Sequence, residues 1–338
     1  MPLKRPLLTI AIPTYKRSGL LQKLLDVLAP QLAGRPEVEL LISDNASPDD
    51  TALVVQRFMD AGLSIRYQRH PENIGADANF VSCFQLASGT YFWLFGDDDI
   101  LVPGALDEVL NHLAGQKYDL VYVTSYGFRE DWQAERSRDP LNRSFHRIED
   151  ATQFTKVTNI MFTFISGMIV NKARLEEMSY EDPANFLDTN LVQLSWTLPL
   201  LRRHRCSLVL WDRPVAARQG NAGGYAIGTV FGANLAKTVV RCLPDRTDLA
   251  ACILNFALRR WFPSILYDAR SSGNQNLHLE EAQTSLKQTY GHNIRYWIFA
   301  YPVLELPLPL ARAWLRGGEA LSKLIYLGSI SNFWRKEV

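Results

Sequence analysis

Tyr91-Phe-Trp-Leu-Phe-Gly-Asp-Asp-Asp-Ile-Leu-Val-Pro103 decides how this chain is read. Tyr91 to Phe95 are apolar and read as a buried strand. They run straight into Asp97, Asp98 and Asp99, and Pro103-Gly104 opens a new segment. Three successive carboxylates repel one another when packed together without a cation. Hard oxygen ligands at a strand end suit Mg²⁺ or Mn²⁺. The competing reading is a solvated acidic turn that starts a helix. The buried strand just before the acids favours a metal site, because open α/β sheets bind ligands beyond the carboxyl ends of their strands.

Upstream, Leu7 to Ile12 reads as the first strand and Pro13-Thr-Tyr-Lys-Arg17 ends it. Leu20, Leu21, Leu24, Leu25 and Leu28 then recur at helical spacing. Val38 to Ile42 is a second strand that leads into Ser43-Asp-Asn-Ala-Ser47, and Asp49-Asp50 begin a helix through Val54, Val55 and Phe58. Ile65 to Gln68 is a third strand, His70 to Gly75 a loop and Asn79 to Ala87 a helix. Downstream lie a helix over Leu106 to Leu113, a strand over Asp119 to Thr124 and a last strand over Cys206 to Trp211. This alternation indicates an α/β fold with a doubly wound, mainly parallel sheet. In such a sheet the polar motifs after the first, second and fourth strands share one edge and line one crevice.

With 338 residues, 47% of them hydrophobic, the chain is long enough for a large domain and an appendage. A formal net charge of +1 excludes bulk attraction to nucleic acid. Cys83, Cys206, Cys242 and Cys252 form no CxxC pair, so neither a zinc site nor a disulfide framework is expected. Met1 to Leu8 lead directly into a strand, so no signal peptide is expected. No uninterrupted apolar run reaches the ~20 residues that span a bilayer. The expected location is cytoplasmic.

Four motifs carry a resemblance. Ile12-Pro-Thr-Tyr-Lys-Arg17, Ser43-Asp-Asn-Ala-Ser47, Asn73-Ile-Gly-Ala-Asp-Ala-Asn79 and Gly96-Asp-Asp-Asp-Ile-Leu-Val-Pro103 follow one another as in the family 2 glycosyltransferases. Residues 7 to 220 resemble that family. The resemblance implies the Rossmann-like GT-A fold and a nucleotide-sugar donor. It implies that Pro13, Thr14 and Tyr15 wall the base and ribose, and that Arg17 reaches a phosphate. Asp44 would accept from the base, while Asn73 and Gly75 would shape the loop flanking the donor; Asn79, a further donor-site candidate, would start the next helix with Asp77. Read from chemistry alone, Arg17 is equally a solvated turn charge and Asp44 a turn carboxylate bonding its own backbone. Asp77 faces either the site or water. The family motif is commonly D-x-D-D with proline four residues after its last acid. Counted back from Pro103, Gly96 replaces the first acid and Asp97 fills the x position. Asp97, Asp98 and Asp99 therefore all stay candidates for metal, and Asp97 and Asp98 for donor contact.

Later segments extend the resemblance. Arg129 to His146 reads as a surface excursion. Val157 to Val170, with Ser166-Gly167 inside it, resembles a strand below the acceptor. In Asn185-Phe-Leu-Asp-Thr-Asn-Leu-Val-Gln193, Asp188 matches by position the catalytic base of inverting relatives. It would sit at a helix start beside a buried stripe of Leu187, Leu191, Leu194 and Leu198, with Glu181 and Asp182 as rivals. The alternative is a helix-start acid favoured by the macrodipole. Arg213 to Tyr225 reads as a glycine-rich loop closing over the diphosphate, with Arg218 on phosphate, or as a linker. The expected division is a GT-A domain over 1–228 and a helical region over 229–338. Residues 296–327 contain Pro302, Pro307 and Pro309, then an amphipathic helix over Ala311 to Leu327 with Arg312, Arg316 and Lys323. That helix could lie on the inner face of a membrane, pack on the domain or pair subunits into a homo-oligomer.

The implied reaction is metal-dependent, inverting transfer of a sugar to a saccharide acceptor, carried on a polyprenyl diphosphate in surface polysaccharide assembly. The Gly-Asp-Asp-Asp variant and the helical tail resemble bacterial O-antigen transferases of the abequosyltransferase type. A sugar-phosphate nucleotidyltransferase and a catalytically silent carbohydrate-binding relative are the alternatives. The first would show a glycine-rich basic loop after the first strand, which Pro13-Thr-Tyr-Lys-Arg17 is not.

Overall fold

The computed structural model describes residues 5–136, 145–220, 226–272 and 279–334. The chain forms two compact units, Met1–Asn221 and Ala222–Val338.

The first unit is built on β1 (Leu8–Thr14), which pairs in parallel with β2 (Val38–Asp44) on one side and with β4 (Tyr91–Leu94) on the other. α1 (Ser18–Leu32), α2 (Thr51–Asp60), β3 (Arg66–Arg69) and α3 (Ala76–Leu86) complete this half. The second half holds β5 (Ile100–Leu101), α4 (Ala105–Gly115), β6 (Leu120–Phe128), β7 (Phe145–Ile148), α5 (Ala151–Thr158), β8 (Met168–Asn171), α6 (Lys172–Glu176), α7 (Leu194–Arg202) and β9 (Ser207–Arg218). The sheet order is β3-β2-β1-β4-β8-β6-β9-β5, with β7 also on β9. β8 is antiparallel to both β4 and β6, and β6 is parallel to β9. β1, β2, β3, β4, β6 and β9 therefore all run one way, which makes the sheet mainly parallel.

The pleat sorts the apolar residues onto two faces. Tyr91, Trp93 and Phe95 join Leu8, Ile10 and Ile12 in a core that takes in Leu21, Leu24, Leu25 and Leu28 of α1 and Leu106, Val109 and Leu110 of α4. Phe92 faces the other way. There Phe84 of α3 stacks on Trp196 of α7 with ring centroids 4.8 Å apart, and Phe92 meets Phe84 edge-on at 5.2 Å. Helices thus cover both faces, as strands with near-continuous apolar runs require.

Several boundaries differ from the sequence reading. β9 continues past Trp211 to Arg218, because Ser125–Phe128 of β6 pair with Val215–Arg218. The beginning of the expected glycine-rich loop is therefore strand, and residues 221–225 lie outside the described residues. The expected surface excursion ends in β7, antiparallel to β9, with 137–144 likewise outside the described residues. Val157–Val170 is not one strand. It holds the end of α5, two 3₁₀ turns and only the first residues of β8.

The second unit is helical: α8 (Leu235–Cys242), α9 (Thr247–Phe256), α10 (Phe262–Ser272), α11 (Leu279–Tyr290), α12 (Tyr301–Glu305) and α13 (Leu308–Trp334). α9 and α10 join through a π-helical turn, so Thr247–Ser271 is long and apolar enough to cross a membrane. It also carries Arg259 and Arg260, and 44% of its most apolar stretch is buried within the protein. Pro307 separates α12 from α13, while Pro309 sits in the first turn of α13, where its missing N–H is unneeded.

Gly89 closes the turn into β4. A Cβ there would meet Thr9 N at 2.6 Å and Tyr91 O at 2.7 Å, both backbone atoms. Gly89→Ala should therefore destabilise the first unit by about 1–3 kcal/mol, read as a lower denaturant midpoint at unchanged slope.

Candidate active site

The parallel pairing brings the ends of β1, β2 and β4 to one edge. After β1, Lys16 turns the chain at φ +55°, and its N–H donates to Ser47 Oγ at 3.0 Å. After β2, Asn45 N–H donates to Thr14 O at 3.0 Å. After β4 comes the acidic run. Arg17 Nη1 donates to Asp97 Oδ1 at 2.9 Å and lies 3.6 Å from Asp98 Oδ2. The turn of one strand and the acids of another therefore face each other.

The three acids do different things. Asp97 is buried, and burial pushes its carboxyl up to about 6 although the Arg17 charge pulls the other way. Asp98 is the more open of the pair, its side chain 17% exposed against 4% for Asp97. Asp99 points inward: Oδ2 accepts from Ser166 Oγ at 2.6 Å and Oδ1 from the Arg218 N–H at 2.9 Å. Burial and the Asp98 charge push Asp99 up to about 7 against those bonds. Ser166 is itself fixed, since Trp93 Nε1 donates to its carbonyl at 2.9 Å and the Gly96 N–H to its hydroxyl at 2.8 Å.

The carboxylates of Asp97 and Asp98 are hard oxygen donors at a site where burial and mutual repulsion disfavour negative charge. Such a donor set fits a divalent cation, which favours the ionised forms. Among the described residues no cluster of three acidic, His or Cys side chains has the geometry of a complete metal cage. Two carboxylates are what a Mg²⁺-type site needs when phosphate oxygens supply further ligands.

The donor-side residues form one hydrogen-bonded frame. Asp44 is fully buried. Its Oδ1 accepts from Ser47 N at 2.8 Å and its Oδ2 from Tyr67 OH at 2.6 Å, with Arg69 Nε 3.4 Å away. Burial and the adjacent carboxylate raise the Tyr67 phenol well above its ordinary value, so it stays a donor to Asp44. Asn45 holds the next loop: its Nδ2 donates to Asn73 Oδ1 at 2.8 Å and to Gly75 O at 3.2 Å, and its Oδ1 accepts from Ile74 N at 2.8 Å. Gly75 has φ +86°, a conformation that glycine adopts freely, and leads into α3. Pro13 and Thr14 are buried, while the half-exposed Tyr15 hydroxyl lies beside Lys16 and Asn73, which lower its pKa.

Residues 9–173 match the family model described as Glycosyl transferase family 2. Abequosyltransferase RfbV of Salmonella typhimurium is 26% identical over 233 residues, which cover 65% of this chain and 68% of that protein. A Campylobacter jejuni GalNAc(5)-diNAcBac-PP-undecaprenol beta-1,3-glucosyltransferase is 32% identical over 108 residues, or 31% of this chain and 34% of that one. Staphylococcus aureus TarS 1-349, solved in complex with UDP-GlcNAc, superposes with a TM-score of 0.61 at 17% identity, over 92% of this chain and 89% of TarS. Residues 9–173 belong to glycosyltransferase family 2. The α/β unit has the GT-A fold that the resemblance implied, with the mainly parallel sheet expected from the alternation of strands and helices.

Within this glycosyltransferase unit, several expected residues sit differently from the reading of the sequence. Asn79 lies inside α3, three residues past its start, and is spent on β2: Ser43 Oγ donates to its Oδ1 at 2.6 Å and its Nδ2 donates to Ser43 O at 3.1 Å. Asp188 is not at a helix start. It sits at φ +64° in a turn ahead of α7, which begins at Leu194. Leu187, expected in the buried stripe, is 39% exposed, whereas Leu191, Leu194 and Leu198 are buried. The rivals have local bonds: Asp182 caps the short turn Pro183–Phe186 through Ala184 N at 2.9 Å, and Glu181 accepts from Asn185 at 3.3 Å. Arg218 touches the acids through its backbone N–H.

Sequence reasoning missed Ser166, Asn45 and Tyr67 as framing residues. Asn45 was visible inside the Asp44-Asn-Ala-Ser47 motif. Tyr67 reaches Asp44 only because β3 pairs with β2, and no local pattern signals it. Ser166→Ala would leave Asp99 and the Gly96 N–H each short of a buried partner. The expected cost is about 1–3 kcal/mol in chemical denaturation, and Ser166→Thr should recover part of it.

Proposed function

We propose that this glycosyltransferase moves a sugar from a nucleotide donor to a hydroxyl of a saccharide acceptor by a single displacement with inversion. The observation that carries the reading is the meeting of Arg17 with Asp97 and Asp98 at the edge where three parallel strands end. In this reading Pro13, Thr14 and Tyr15 wall the nucleoside, and the Asp44 turn and the Asn73–Gly75 loop frame it. Asp97 and Asp98 hold Mg²⁺ or Mn²⁺, with Asp99 keeping their backbone in place. The cation, when bound, supplies positive charge to the diphosphate as it departs. Arg17 and Arg218 are the candidate phosphate contacts. Asp188 takes the proton of the acceptor hydroxyl while that oxygen bonds to the anomeric carbon, and the nucleoside diphosphate leaves from the opposite face.

An acceptor carried on a polyprenyl diphosphate, in O-antigen-like surface polysaccharide assembly, is supported by the Salmonella and Campylobacter relatives. The proposed location is the cytoplasm, at the inner face of the membrane. Peripheral contact there through residues 296–327 is supported by the exposed Leu310, Trp314 and Leu321 on α13, next to the exposed Arg312 and Arg316. A boundary between the catalytic and helical parts near residue 228 belongs to the same reading.

Asp188→Asn keeps the shape of the side chain and removes its basicity. It should lower kcat by on the order of 10²–10⁴ while donor affinity stays nearly constant. Near-normal turnover would remove Asp188 as the base. EDTA should abolish transfer and Mn²⁺ restore it, and Asp98→Ala should lose most activity while remaining folded; full activity in EDTA would sink the metal assignment. Replacing Leu310 and Trp314 together by Ser should weaken co-sedimentation with anionic liposomes. Equal sedimentation of both proteins would assign this face to another role.

A further inference from the structure

Asp77 lies in the first turn of α3 and is only 7% exposed. Nothing in the expected donor contacts accounts for a buried acid there. Helix-start acids are common, but they face water and act through the helix dipole. Asp77 instead points across the unit. Its Oδ2 accepts from the backbone N–H of Asn190 at 2.8 Å, more than a hundred residues away in sequence. The backbone N–H groups of Val192 and Thr189 also favour the charge of this carboxylate, against the burial that raises its pKa. One buried carboxylate thus anchors the segment that follows Asp188 through the Asn190 N–H, with two further N–H groups of that segment turned toward its charge.

That segment needs holding. Asp188 and Asn190 both have left-handed backbone, at φ +64° and +55°. Asp and Asn enter this region more readily than other non-glycine residues, yet two such positions within three residues still cost backbone energy that the surroundings must offset. Backbone N–H groups that converge in such a turn form a concavity suited to an anion. Here the anion is a side chain of the same protein. Local bonds assist it: Thr189 Oγ1 donates to Phe186 O at 2.6 Å and accepts from Leu191 N at 3.1 Å.

The other end of Asp77 is tied to the donor frame. α3 is locked to β2 through Asn79 and Ser43, and its N-terminal Gly75 is bonded to Asn45. We infer that Asp77 is a positioning residue for Asp188: it transmits the geometry of the donor-binding frame to the turn that carries the base. The inference rests on the proposed role of Asp188. It names a part of the machine that the family motifs leave unassigned. Asp77 touches neither substrate nor the reacting proton. It fixes the direction in which the Asp188 carboxylate leaves the backbone, and so the distance between donor and base.

The test uses the full-length protein. Amide hydrogen exchange is measured over residues 187–193, with β6 as an internal reference. Asp77→Ala should speed exchange in that segment by about tenfold or more without changing β6. Asp77→Asn keeps an acceptor oxygen in the same place and should stay within about threefold of the parent protein. Unchanged exchange in Asp77→Ala, or an Asn variant as loose as the Ala one, overturns the inference. Turnover adds a readout that simple loosening does not give. With UDP- and GDP-sugars as donors, Asp77→Ala should lower kcat about 10- to 100-fold, with UDP and GDP affinity nearly unchanged and Asp77→Asn restoring most of the rate. In the Asp188→Asn background, Asp77→Ala should cost no more than about twofold further, because both changes remove one function. Full additivity of the two losses also overturns it. If Asp188→Asn alone keeps its turnover, the reading of Asp188 as base fails by itself, while the exchange data still decide whether Asp77 holds the turn.

Discussion

β1 pairs in parallel with β2 from Leu8 to Thr14 and with β4 from Leu8 to Ala11. Parallel strands end on the same side, so a central strand with parallel partners on both flanks brings three chain exits together. Every polar feature of the site depends on that arrangement. Arg17 leaves β1, Asp44 and Asn45 leave β2, and Asp97 to Asp99 leave β4. The antiparallel β8 then passes beside β4, and the residues just before it deliver Ser166 to the acids. A shift of β4 by one residue against β1 would turn Tyr91, Trp93 and Phe95 out of the core and carry the acids away from Arg17. The large buried aromatic residues of β4 fix that register, so the packing of the sheet sets the electrostatics of its edge.

The same logic explains which parts of the molecule were legible in the amino-acid sequence. The apolar runs of β1, β2 and β4 and the leucine spacing of α1 are local patterns, and they predicted the fold correctly. The acidic run after β4 and the turn after β1 were also readable as partners, because strand direction alone puts them on one edge. What failed was non-local. β9 runs on to Arg218 because β6 offers it a partner, although Arg213-Pro-Val-Ala-Ala-Arg218 looks like loop. Asp188 was placed at a helix start because the resemblance puts a helix there and Leu187, Leu191, Leu194 and Leu198 could form its buried stripe. The helix starts only at Leu194, since Asp188 and Asn190 take left-handed backbone, and the Asn190 N–H is held by Asp77. A partner over a hundred residues away cannot be seen in a local pattern. Asn79 was read as the start of a helix, and no local pattern showed that its amide bonds Ser43 of β2.

Buried acids in this unit fall into two kinds. Asp44 and Asp119 are held by hydrogen bonds from several elements. Asp119, at the opposite edge of the sheet, takes Arg174 Nε at 2.8 Å and the Arg205 N–H at 2.6 Å. Such acids brace loops, and removing their donors would strand a charge in a dry interior. Asp97 and Asp99 differ in charge balance, although Asp99 is also braced, by Ser166 and the Arg218 N–H. Burial raises both, and their neighbours offset only part of it. A carboxyl whose surroundings disfavour its charge gains most from an arriving cation or cationic ligand.

Gly96 explains how the work is divided among the three successive acids. A Cβ at this position would come within 3.1 Å of both Asp98 Oδ1 and Asp99 Oδ2, and within 3.3 Å of Ser166 Oγ. A carboxylate at position 96 would need the space that the inward-turned Asp99 and its serine now fill. The family pattern of an acid here and this chain's glycine are therefore linked to what the last acid does. With glycine, the chain can fold Asp99 onto Ser166 and the Arg218 N–H. Asp97, one position later, then stands where Arg17 can reach it, with Asp98 next to it and open to the crevice. Moving the first acid by one residue thus leaves two carboxylates on the ligand side and uses the third as a brace. That brace ties the acidic turn to the end of β9, whose continuation leads into the segment after Gly220.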